Sequence, residues 1–156
     1  MQDSEARKLA DVLALAHACI NTIERGREVL ESVLGKYKVK EMVQDNVRTI
    51  NQLTDVAQKT TEFASIGQYA TNFEIKLDSL RDDYMRGEWL STMKVLEVMG
   101  LLEGIAVVQW NLLSSMAEGM NTKPLLDCAQ QGSAFHTATL ASLSDASKKF
   151  KLSPNS

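Results

Sequence analysis

The chain has 156 residues, 44% hydrophobic and 24% charged, which suits a globular domain with its own core and argues against disorder. Its 17 basic and 20 acidic residues leave a net charge of −3, and no basic stripe is interleaved with aromatics, so nucleic acid and anionic membrane are poor partners. Cys19 and Cys128 are too few and too far apart for a disulfide framework. Together with the lack of a secretory leader pattern, this predicts a cytoplasmic protein with two reduced core thiols.

Helical periodicity runs through nearly the whole chain, and the only prolines are Pro124 and Pro154. A first helix is predicted over about residues 4–34, with Leu9, Leu13, Ala16, Ile20, Ile23, Leu30 and Leu34 on one stripe and Gly35 as its left-handed end. A second is predicted over about 37–66, with Val39, Val43, Ile50, Leu53, Ala57 and Phe63 inside and Gly67 as its end. Its middle is rich in Asn, Gln and Thr, among them Asn46 and Thr49, and these are expected mostly to face solvent or a partner. The segment 67–87 reads as a shorter helix, with Thr71 and Glu74 at capping-box spacing and a break at Arg86-Gly87-Glu88.

The next predicted helix, about 88–118, is apolar over most of its circumference. Glu97, Gly104, Asn111 and Glu118 recur every seven residues as its polar strip, and Gly119 is expected to end it. Glu97, Glu103, Gln109 and Asn111 argue against a membrane span, because a carboxylate near a span's centre costs about 2.5–3.5 kcal/mol. The helix therefore reads as the buried centre of a soluble bundle. The last helix, about 122–149, has Pro124 in its first turn and many small residues. Gly100, Gly104, Gly132 and Ala138 are the predicted points of close helix packing. Charge at Gly104 or Ala138 is accordingly expected to disturb packing more than a change at Glu97.

These elements predict an all-α fold: an antiparallel four-helix bundle with an additional shorter helix at about 67–87, residues 1–150 forming one domain and 151–156 a frayed tail. If the 67–87 segment crosses the bundle, the order and helix lengths are similar to those of ferritin-like bundles. The Glu-x-x-His pairs of their di-iron members are absent.

Only His17 and His136 are present. Glu103 lies off the polar strip of its helix, near mid-height, as do both histidines. Glu103, His136 and His17 are thus the candidate metal-ligating set, with Glu24 or Asp55 as possible additions. Two histidines without motif spacing favour the other reading, hydrogen-bonded groups in or near the core. Phe135-His136-Thr137 is similar to the His helix of histidine-phosphotransfer domains. Thr139 and Leu140, however, stand where those domains carry Lys and Gly. Asp78, Asp82 and Asp83 read as a solvated acidic face. Met93, Met99, Met116 and Met120 are adaptable filler that, beside Gly100 and Gly104, frames either an apolar-ligand slot or a face for a partner helix.

No catalytic motif or cofactor-binding motif is found. The expected function is a non-catalytic helical interaction protein (scaffold, adaptor, regulator or complex subunit) whose partner is another protein or itself as a homo-oligomer. A ferritin-like bundle with an atypical metal site, or a carrier of a small apolar ligand, is the alternative.

Overall fold

A computed structural model describes residues 1–151. The fold is all-α, with six helices and no strand among the described residues: α1 Asp3–Arg25, α2 Arg27–Leu34, α3 Lys36–Ala57, α4 Phe63–Met85, α5 Thr92–Gly119 and α6 Lys123–Lys149. The tail expected to fray lies, from residue 152 on, outside the described residues.

The predicted first helix is bent into α1 and α2 at Gly26, where a Cβ would lie 3.0 Å from Val95 Cγ1. The bend lets the chain pass close to α5. Gly35 then ends α2 at φ 86, the conformation expected of it. The second helix stops at Ala57, more than two turns earlier than predicted. There the Thr60 hydroxyl donates to the Ala57 carbonyl at 2.8 Å and takes over an acceptor the helix would have used. Gly67 and Thr71 are both interior to α4, and Thr71 donates to the Gly67 carbonyl rather than capping a start. Arg86 and Gly87, at φ 48 and 78, make the break before α5, and Ser91 caps the new helix by accepting from Lys94 N–H. At the far end Gly119 stays helical, and Asn121 makes the left-handed turn at φ 52.

α1 packs against α3, α4 and α5, while α6 packs against α5 and α3. The pairs therefore close a ring α1–α3–α6–α5, with α4 laid on the outside of α1. Glu103 opposite His136 and Asn111 beside Ser133 show α5 and α6 running antiparallel. Tyr69 with Arg7 and Asp82 with Arg25 show α4 running parallel to α1.

The buried centre is α1, not the apolar α5. Leu9, Ala10, Val12, Ala14, Leu15, Ala16 and Cys19 are all fully enclosed. By length and composition α5 would span a bilayer, yet only 44% of its apolar window is buried, because the outer side of this helix has no neighbour.

Candidate functional site

The core divides into three apolar clusters, one joining α1, α4 and α5 around Leu15, Leu77 and Leu102 and two lying within the ring. Of these two, one gathers Leu9, Leu13, Leu53, Trp110, Leu113 and Leu125; the other gathers Ile23, Leu30, Val39, Met42, Met99 and Leu143. On every helix of the ring the buried polar residues fall between these clusters: Thr22, Asn46, Thr49, Glu103, His136 and Thr139. Thr22, Asn46 and Thr49 donate to carbonyls of their own helices, while Asn46 Oδ1 has no partner among the described residues. Asn46 and Thr49 were expected at the surface and are not there. They share the face of Met42 and Leu53, at steps of four, three and four residues, and that spacing was the available signal.

Glu103 and His136 form the side-chain link between helices in this layer. His136 Nδ1 lies 2.5 Å from Glu103 Oε2, with both side chains at most 1% exposed. Packing orients the imidazole: the Phe135 and Trp110 rings have centroids 4.0 and 6.0 Å away. A carboxylate left alone at this depth would cost several kcal/mol, and the imidazole gives it a hydrogen-bonding partner there. Glu103 Oε1, His136 Nε2 and Trp110 Nε1 have no hydrogen-bond partner among the described residues.

Cys19 faces the same carboxylate from α1. Burial first, and then the negative Glu103, push its thiol well above the ordinary range. Burial likewise pushes Cys128 up to about 11, against the opposing positive charge of Arg48. Between about pH 9 and 11 the unfolded chain therefore loses thiol protons that the folded chain keeps. The contribution to stability is complete below the unfolded thiol pKa and disappears as pH rises through that window. We expect stability to fall across it, less steeply in Cys128→Ala, and native thiols to resist labelling at pH 8 until urea is added. Rapid labelling of both thiols in the native protein would contradict this burial.

The metal-ligating set is corrected in part. Glu103 and His136 meet as expected, but His17 is exposed. It lies two residues from Cys19, about 200° around the same helix, and so points away from Glu103. Glu24 and Asp55 are exposed too. Among the described residues no group of three His, Cys, Asp or Glu could hold a metal ion. The likeness to a phosphotransfer helix also fails, because a fully buried His136 cannot meet a phosphoryl donor.

Of the four predicted close-packing positions, only Gly132 is one: a Cβ there would lie 2.5 Å from Trp110 Cδ2. Nothing lies within 4 Å of a Cβ placed at Gly100 or Gly104, and Ala138 is exposed. Charge at Gly104 or Ala138 would thus disturb the chain's own packing no more than a change at Glu97. The reason is rotational. Gly100 and Gly104 lie on the side of α5 that turns away from α1 and α6.

That side is the second candidate site. Gly100, Leu101, Gly104, Ile105 and Val108 line a shallow open cleft. Leu101 is 45% exposed and Val108 57%. Tyr84 donates to Glu97 across the α4–α5 hairpin, so stepping back along α4 and forward along α5 sets Leu80 opposite Leu101. Leu80 is 54% exposed. A separate cavity of about 430 Å³ opens at the bundle end, between Val56, Glu62, Met120 and Leu125.

Comparison with known protein families, curated proteins and solved structures finds no match to this chain.

Proposed function

We propose that this chain is a non-catalytic helical interaction protein that associates with itself through the outer face of α5 and the adjoining edge of α4. The observation that carries this reading is the run of exposed apolar residues Leu101, Val108 and Leu112 on α5, bordered by Leu80 of α4. One exposed leucine is ordinary on a protein surface. A continuous apolar strip is not, and its usual meaning is an interface. The sealed Glu103–His136 pair supports a non-catalytic role, since acid–base chemistry requires substrate within hydrogen-bond reach of the group. The net charge of −3 favours protein over nucleic acid as partner, and two buried free thiols suit a reducing cytoplasm.

Light scattering tests the proposal. The wild type is expected at a multiple of 17.3 kDa, and Leu101→Glu/Val108→Glu at 17.3 kDa with its helical signal and melting unchanged, since neither side chain is buried. A wild type that stays at single-chain mass at micromolar concentration would reject self-association.

A further inference from the structure

The α5 face carries more than apolarity. Glu97 and Asn111 each stand seven residues from Gly104, one on either side, and both are exposed. Asn111 Oδ1 accepts from the Ser133 hydroxyl at 2.6 Å. That bond fixes the amide so that its two N–H donors remain free to bond elsewhere. Glu97 is an acceptor. Leu101 and Val108 also flank Gly104, and Gly104 presents no side chain between them.

We propose that a second copy of this chain lays its α5 antiparallel on this face, about a two-fold axis at Gly104. The proposal rests on the self-association reading above and specifies its geometry. About that axis Glu97 meets Asn111 of the second copy, and the reverse, so two amide-to-carboxylate hydrogen bonds form at the ends of an apolar strip. Leu101 meets Val108 of the second copy, and the glycines let the two backbones approach. A parallel pairing would set Glu97 against Glu97 and align the helix dipoles, both unfavourable.

The area also favours this arrangement. From Met93 to Leu112 the strip is roughly 28 Å long, and α4 with α5 is about 20 Å wide. Two copies would then bury roughly 1,100 Å², just beyond the ~1,000 Å² that a specific interface requires. α5 alone would offer about half, so Leu80 of α4 belongs to the contact.

The test is cross-linking of the full chain with a short bis-maleimide. Background is low because Cys19 and Cys128 are buried. Met93→Cys mixed with Ser115→Cys is expected to give a covalent dimer, and each variant alone is not. An antiparallel axis at Gly104 brings residue 93 beside residue 115 and holds the two copies of residue 115 roughly 33 Å apart along the helix. Gly104→Leu is the second variant: a side chain there meets nothing within its own chain, so the fold should be kept while the dimer mass is lost. A dimer in which Ser115→Cys cross-links to itself would overturn the antiparallel geometry and leave self-association standing. A Gly104→Leu chain that stays dimeric would remove Gly104 from the axis. A wild type at single-chain mass would overturn both readings.

Discussion

Replacing Glu103 by Ala is expected to destabilise the chain by about 3–5 kcal/mol, and His136→Ala by a similar amount. Each change leaves its partner unpaired at a depth where neither side chain is more than 1% exposed. The loss should depend on which partner remains rather than on how many groups are removed. Replacing both at once, as Glu103→Leu/His136→Leu, is therefore expected to cost much less than the sum of the single changes and to come close to neutral. Glu103→Gln, which keeps an acceptor for Nδ1, should fall between wild type and Glu103→Ala. Urea unfolding at pH 7 gives the four values. Single-variant losses below about 1 kcal/mol, or simple additivity, would mean that the pair is reached by water and the polar layer is not sealed as described.

The contact between Trp110 and Gly132 carries the next largest effect. Trp110 is fully buried, and its ring lies against the α6 backbone because residue 132 has no side chain. Trp110→Ala should cost about 3–5 kcal/mol through lost burial and the void it leaves. Gly132→Ala acts in the opposite sense. Its methyl group would lie 2.6 Å from Trp110 Cζ3, and a ring held on all sides cannot withdraw without moving α5 or α6. Overpacking of this kind costs about 1–3 kcal/mol, less the gain in helix propensity of about 1 kcal/mol when Gly becomes Ala. The two changes should be coupled: Trp110→Leu is expected to relieve much of the penalty of Gly132→Ala. A Gly132→Ala chain as stable as wild type would show that the helices can separate at little cost.

The helical class, the extra helix before α5 and the two buried thiols could be read in the sequence, because each depends on local chemistry. Periodicity near 3.6 residues marks amphipathic helix wherever it occurs. Positive-φ turns select Gly, as at Gly35 and Gly87. The meeting of Glu103 with His136 was legible for a related reason. Both stand near the middle of long helices, and in a bundle of such helices midpoints share a height. The polar strip of α5 was equally legible, since Glu97, Asn111 and Glu118 are exposed.

The use made of each face was settled only when the helices packed. A side chain's rotation about its helix follows from the sequence, but which rotation meets a neighbour depends on where the other helices lie. His17 diverges from Glu103 for that reason, and Asn46 and Thr49 are buried for the same one. Gly100 and Gly104 were expected as points of close helix packing. Instead they face outward, because α1, buried on nearly all sides, takes the central place that the composition of α5 suggested for α5. An apolar helix with a glycine-marked face is legible from residue order alone, because periodicity and glycine placement are local. That this face is left uncovered follows from packing alone: α4 lies along α1 and reaches α5 on one side, where Leu77 packs with Leu102, so the side bearing Gly100 and Gly104 has no neighbour.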